Sequence, residues 1–257
     1  MARSPRIDLA GYHHVVNRGV EKRKIYIDRE DYETFLELLC SVSFQFDVTL
    51  HSYCLMSNHY HLLIETHQEN LSKAMRAVNA GYAAYFNRKY KRVGHLWQGR
   101  FKSWFVTDEA YLYTLIKYIE FNPVKAKIVK NLDDYAYSSY AAFSETTEPI
   151  ACLHDSIMFT QFSMLKDRVG FFENWYDEDV LKEIRKSSRL VVSSVKTQKL
   201  SLKPLRTLFK DYVDKNERNR KIVKAVELGY SQHMIANVLG MTQGSVSHVM
   251  KKHKRTE

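Results

Sequence analysis

The pattern of apolar and polar positions gives Tyr12 to Asn17 strand character, and Arg18-Gly19 ends the run, which predicts a first strand. Asp28 then opens a helical pattern. Tyr32, Phe35, Leu36, Leu38, Leu39, Val42 and Phe46 recur at helical spacing, and acidic residues fill the first turn. Val48 to Leu55 is rich in β-formers. After the short Met56-Ser57-Asn58 link, His59 to Thr66 is a further strand, so the two predict an antiparallel hairpin. Asn70 or Ser72 caps a helix that reaches about Tyr90. Gly99 to Thr107 reads as a fourth strand. Thr107 or Asp108 caps a last helix, which Asn122-Pro123 stops.

The order strand, helix, strand, strand, helix, strand, helix predicts an α+β fold. Its first six elements form the split βαβ arrangement of a ferredoxin-like domain. Such a sheet carries helices on one face and leaves the other open, where the seventh element can lie. Residues 1–143 are therefore read as one domain and residues 144–204 as a helical extension and linker. Within the extension, Phe159, Phe162, Leu165, Phe171, Phe172 and Trp175 call for burial against the first domain. Lys186 to Lys203 is rich in Ser and Lys and reads as linker, although Leu190-Val191-Val192 has strand character.

Residues 205–257 change character. Ile222, Val223, Val226 and Leu228 mark one helix. Ser231 caps a short second helix, Gln232 to Leu239. Gly240 turns the chain, and Thr242 starts a third helix. Ala236 allows close approach, and Val246 and Val249 return to the core. This spacing matches a helix-turn-helix, an all-α unit.

Composition sharpens the functional picture. The 257 residues carry 39 Lys and Arg against 29 Asp and Glu, a formal charge of +10. That surplus points to a polyanion, with nucleic acid ahead of an acidic membrane surface. From Lys215 to Glu257 there are nine Lys or Arg and three Asp or Glu, so the charge and the helix-turn-helix spacing agree. Cys40, Cys54 and Cys152 form no CxxC pair and read as buried thiols of a reducing compartment. No apolar run approaches a membrane span, and the N-terminus is not a signal peptide. A soluble, cytoplasmic protein with no membrane partner is expected.

The sharpest local feature is His59-Tyr60-His61. Alternate residues of a strand share a face, so both imidazoles point one way and Tyr60 the other. Two imidazoles on a rigid strand can hold a divalent ion and leave positions for a phosphate oxygen. Tyr118 and Asn122, four apart, share a helix face one turn apart. They offer a phenol nucleophile and an amide oxygen as third ligand. Tyr111 and Tyr113 lack a partner at that spacing and read as packing. His13 and His14 point to opposite faces of the first strand; a structural role is expected, although one of them could approach the site. Glu65 shares the face of the histidine pair and reads as solvated. Arg88, Lys89, Lys91, Arg92, Arg100 and Lys102, interleaved with Trp97, Phe101 and Trp104, have the composition that single-stranded DNA calls for. Of these, Arg100, Lys102 and Trp97 are the candidate DNA contacts, with Asn17 and Arg18 added from the first strand.

Four ordered blocks resemble the HUH single-tyrosine transposases, and most closely the REP-associated tyrosine transposases. They are Tyr12–Gly19 (YHHVVNRG), Tyr53–Glu65 (YCLMSNHYHLLIE), Gly94–Ser103 (GHLWQGRFKS) and Tyr118–Ala126 (YIEFNPVKA). The resemblance covers about residues 8–143. It implies a ferredoxin-like catalytic core in which His59 and His61 bind metal, Mg²⁺ or Mn²⁺. It also implies that Tyr118 is the nucleophile and that Asn122 occupies the third ligand position, where insertion-sequence members often carry Gln. The implied activity is cleavage and joining of single-stranded DNA near a hairpin, through a covalent 5′-phosphotyrosine. Insertion-sequence relatives act as homodimers and REP-associated ones as monomers, so either state is open. The C-terminal unit would add duplex or hairpin affinity through Gln243, Ser245, Ser247, His248 and Lys251. Two alternatives stand beside this reading. One is a DNA-binding regulator with an inactive transposase-like core. The other is a replication initiator or relaxase, whose lysine three residues after the tyrosine is absent here.

Overall fold

The Tyr12–Asn17 run lies in β1 (Gly11–Arg18), an inner strand of a four-stranded antiparallel sheet. The computed structural model describes residues 8–106, 110–174, 208–210, 214–227, 232–241, 245–246 and 248–250. Within it, β2 (Val48–Met56) and β3 (His59–Thr66) form the hairpin, β3 pairs with β1, and β1 pairs with β4 (Lys102–Phe105). The strand order is β2-β3-β1-β4. β4 is shorter than the Gly99–Thr107 stretch suggests. The chain before it leaves the ladder to bury Leu96, whose carbonyl accepts from Val20 N at 2.9 Å. At the other edge, residues 135–139 shield β2. Leu55 N donates to the Tyr137 carbonyl, and Ser139 N donates to the Tyr53 carbonyl, both at 2.9 Å. Open edge groups that would recruit foreign strands are thereby satisfied.

Register divides the side chains. His13, Val15 and Asn17 lie opposite Ile64, Leu62 and Tyr60 on one face. The helices α1 (Arg29–Phe46) and α2 (Leu71–Lys89) cover this face, which buries Phe35, Leu39, Val78 and Tyr82. Asp28 caps α1 by accepting from Asp31 N, and Asp31 reciprocates. Asp31 is fully buried. Burial alone would raise its pKa. Bonds from Ile27 N, the Tyr90 hydroxyl and the Lys89 ammonium outweigh that and hold the carboxyl below its ordinary value. Asn70 stands at the start of α2 without capping it; its amide donates instead to the Phe46 carbonyl at 2.7 Å.

On the opposite face, Tyr12, His14, Val16 and Arg18 lie across from Glu65, Leu63, His61 and His59. Here runs α3 (Ala110–Glu120), with Leu112, Leu115, Ile116 and Ile119 buried. Pro123 does not stop the helical path, contrary to expectation. Phe121 is a single turn residue, and α4 (Asn122–Lys125) follows with proline in its first turn. Proline is tolerated there because the first N–H groups of a helix have no intrahelical partner.

Short helices α5 (Tyr140–Phe143), α6 (Ile157–Gln161) and α7 (Leu165–Phe171) complete this unit. Phe172 is buried, and Phe159, Phe162 and Phe171 pack partly against the core, as expected. Leu165 departs from expectation at 40% exposed. It sits in the first turn of a seven-residue helix whose buried anchor is Arg168, bonded to the carbonyls of Phe143, Phe162 and Ser163. The expectation of three free thiols is also corrected. Cys40 on α1 and Cys152, 112 residues away, are joined by a disulfide, and Cys54 alone is free and buried. Such a separation leaves no spacing signal in the sequence.

The chain divides into two compact units, Met1–Val192 and Ser193–Glu257. In the second, α8 (Lys215–Glu227) and α9 (Gln232–Leu239) share a small core of Ile222, Ala225, Ile235, Ala236 and Val246 with Phe209. Gly240 takes a φ of 61°, the left-handed conformation that ends a helix without a Cβ penalty. Trp175, Leu190-Val191-Val192, the Lys186–Lys203 stretch and the proposed caps Thr107 and Asp108 lie outside the described residues. Among the described residues no helix is long and apolar enough to cross a membrane.

Candidate active site

The histidine pair projects from the sheet face that α3 crosses. His59 and His61 have ring centres 5.1 Å apart, with planes at 76°. His59 is half-buried, and its Nδ1 bonds the Asn58 side-chain oxygen at 2.6 Å. That bond places the ring proton on Nδ1 and the lone pair on Nε2. Burial lowers the His59 pKa, and the Arg18 guanidinium lowers it further. Both effects favour the neutral imidazole that a cation needs. His61 is buried, and its Nδ1 lies 3.0 Å from Nε2 of His14.

Tyr118 reaches the same place from α3. Its ring stands edge-on to His61, with centres 5.6 Å apart, and edge-on to His14 at 5.7 Å. Asn122 follows one turn later, and its NH₂ donates to the carbonyls of Tyr118 and Ile119 at 2.7 and 3.2 Å. This orientation leaves the amide oxygen as the function Asn122 can offer a ligand. Tyr113 instead packs edge-on against Phe162 and Phe171, at 5.8 and 6.0 Å.

What holds α3 in register was not legible beforehand. Glu120 is fully buried and accepts from Ser52 Oγ on β2 at 2.6 Å, from Ser139 Oγ, and from Tyr140 N at 3.0 Å. Burial pushes its carboxyl up to about 7, against the opposing pull of these donors. The network ties the tyrosine helix to the sheet two residues beyond Tyr118. His14 is the second residue that sequence reasoning undervalued. Strand parity puts it on the site face, but its approach to His61 depends on the β1–β3 register, which links residues far apart in the chain.

Beside His59 opens a groove of about 520 Å³, lined by Arg18, Lys22, Arg100 and Lys102 together with Asn58, Gln98 and Trp104. Among the described residues, four cations line it and no carboxylate. Arg18 Nε donates to Gln98 Oε1 across it. Asn17 also lines the groove, although its amide donates inward to Asn79 Oδ1 at 3.2 Å. Trp97 is held elsewhere. Its indole N–H donates to the Asn79 carbonyl at 2.8 Å, and its ring packs against Tyr60 and Tyr82. Glu65 pairs with His51 at 3.2 Å, a bond that holds its carboxyl below the ordinary value. Ser245 and His248 are exposed on the second unit, while Gln243, Ser247 and Lys251 lie outside the described residues.

Among the described residues no three His, Cys, Asp or Glu side chains gather as a metal cluster. The donor set nonetheless suits a divalent ion that takes only part of its shell from protein. It comprises two imidazoles, that of His59 with its pKa lowered and its lone pair on Nε2, and the amide oxygen of Asn122.

Residues 9–122 match the family model described as "Transposase IS200 like". No curated protein matches the chain. Among solved structures, the chain is similar to a REP-associated tyrosine transposase bound to a REP hairpin. The two are 18% identical with a TM-score of 0.45, over 55% of this chain and 82% of that one. A candidate transposase from Deinococcus radiodurans R1 is 17% identical with a TM-score of 0.34, over 47% and 96% of the two chains.

Proposed function

We propose that this chain, which over residues 9–122 belongs to the IS200-like transposases, cuts and rejoins single-stranded DNA through a covalent bond to Tyr118. It is a DNA-processing transposase. The finer reading rests above all on one observation, the Tyr118 ring standing against His61 of the histidine pair. The strand order and the α1/α2 layer agree with a ferredoxin-like catalytic core. The DNA strand lies in the groove of Arg18, Lys22, Arg100 and Lys102, where cations meet successive phosphates. A DNA hairpin is the preferred substrate, as the family resemblance implies.

In the reaction, the Tyr118 oxygen attacks the scissile phosphorus. The bond from phosphorus to the 3′ oxygen breaks, the phenolic proton is lost to solvent or to a nearby acceptor, and the departing 3′ oxygen takes up a proton from solvent to become a hydroxyl. The 5′ phosphate stays on Tyr118 as an ester. A 3′ hydroxyl, from the same or another strand, later reverses the attack, so joining needs no nucleotide cofactor. His59 and His61, with Asn122, would hold Mg²⁺ or Mn²⁺. Such an ion polarises the phosphoryl oxygen and orients the scissile bond. Glu120 keeps the nucleophile helix seated while the strand is exchanged.

The second unit is read as a helix-turn-helix that adds affinity for duplex or hairpin DNA. The α8–α9 pair, the Gly240 turn and its basic composition support this. The test incubates the protein with end-labelled single-stranded hairpins and Mn²⁺ or EDTA. Label transferred to protein with Mn²⁺ alone is expected. DNA binding without cleavage under any divalent ion would contradict the enzyme reading and favour a DNA-binding regulator.

A further inference from the structure

We infer that His14 is a positioning residue for the metal-binding face of His61, fixing which nitrogen of that ring carries the proton. This rests on the proposed role of the His59/His61 pair. His14 projects from β1 onto the site face, where its neighbour in β4 is Trp104 and its neighbour in β3 is Leu63. His61 lies diagonally across from it, opposite Val16. The two imidazoles are 5% and 6% exposed, and their planes are only 18° apart. His14 Nε2 and His61 Nδ1 are 3.0 Å apart, so a ring N–H of one points at the ring lone pair of the other.

Chemistry then fixes the direction of that bond. One proton occupies it, since two neutral imidazoles cannot both donate through it and cannot both accept. His61 presents a lone pair at Nε2 only in the tautomer protonated at Nδ1. In that tautomer His61 Nδ1 donates and His14 Nε2 accepts. A ligating histidine whose other ring N–H is held by an acceptor is oriented and made a better donor. Asn58 does this for His59 through its side-chain oxygen, and His14 does it for His61. The two ligands thus differ in kind: one is held from the hairpin turn and the other from the neighbouring strand. His14 is itself walled in by Trp104, at 5.3 Å between ring centres, and by Tyr118 at 5.7 Å. The ring that sets the His61 tautomer therefore also touches the nucleophile.

The test uses the full chain without DNA and Mn²⁺ as the probe. Affinity is read from the free Mn²⁺ spin-resonance signal, and the His61 tautomer from its imidazole ¹⁵N shifts. His14→Phe keeps an aromatic ring against Trp104 and Tyr118 but cannot accept. It is expected to weaken Mn²⁺ binding by about 10–100-fold. His14→Gln restores an acceptor and is expected to recover part of that loss. The wild-type His61 ring should carry its proton on Nδ1. Should His14→Phe not fold, the wild-type tautomer still decides. A proton on Nε2 of His61 overturns the inference, as does unchanged Mn²⁺ affinity in a folded His14→Phe. Wild-type protein that binds no Mn²⁺ would overturn the metal pair together with this role, whereas unchanged affinity in the variant removes the role of His14 alone.

Discussion

The phenol ring of Tyr118 stands edge-on to the imidazole of His61, with ring centres 5.6 Å apart and planes at 85°. The two residues come from a helix and a strand 57 positions apart in the chain. Removal of only the Tyr118 hydroxyl keeps this ring contact. Tyr118→Phe should therefore preserve folding and hairpin binding while abolishing the protein–DNA adduct. Thermal melting, a binding titration and denaturing electrophoresis check the three parts. Adduct formed at the wild-type rate by the variant would remove Tyr118 from the reaction.

The groove beside His59 makes a separate prediction. Arg100→Ala combined with Lys102→Ala should weaken single-stranded DNA binding at any sequence. It should also flatten the dependence of log affinity on log salt, by about 0.7 for each phosphate that the variant no longer neutralises. Binding measured across a salt series tests this. An unchanged slope would place the strand elsewhere.

Glu120 gives a stability prediction. Glu120→Ala leaves Ser52, Ser139 and the Tyr140 amide without their buried acceptor. The expected loss is about 3 kcal/mol, read by urea denaturation. Glu120→Gln, which keeps one acceptor oxygen, should lose less.

Asp31, in the first turn of α1, makes the fold acid-sensitive. Its carboxyl sits below its ordinary value in the folded chain, so the unfolded chain binds the proton more readily. The stabilisation is therefore complete above the ordinary carboxylate pKa and is lost as pH falls through the lower folded value. Asp31→Asn should reduce stability near neutral pH and flatten the acid limb of a stability–pH curve. An acid limb identical to wild type would contradict this.

The Cys40–Cys152 bond closes a loop of 112 residues. Reduction, or Cys40→Ser, should lower stability by up to about 4–5 kcal/mol on chain-entropy grounds. Thiol titration of the unfolded, unreduced protein should find one reactive cysteine, Cys54. Three would show that the pair is not joined.

The sequence carries the fold wherever the signal is local. The β2–β3 hairpin follows from two runs of β-formers joined by a short link, and the buried stripe of α1 from helical spacing. So does the shared face of His59 and His61. Contacts that depend on register or on distant segments are not written in any spacing. The His14–His61 bond requires the β1–β3 pairing. The Glu120 network requires Ser52 and Ser139 from two other segments, and the disulfide spans more than a hundred residues. Trp97 shows the opposite limit. Its basic, aromatic neighbourhood suggested a base-stacking residue, whereas its indole N–H is committed to the Asn79 carbonyl.

The most direct test maps the covalent bond itself. Adduct formed with a labelled single-stranded hairpin and Mn²⁺ is digested, and the peptide that retains the nucleotide is sequenced by mass spectrometry. A phosphodiester on Tyr118 is the expected result. Attachment at Tyr111, Tyr113 or Tyr12, or cleavage that leaves no residue modified, would contradict the assignment of Tyr118 as nucleophile.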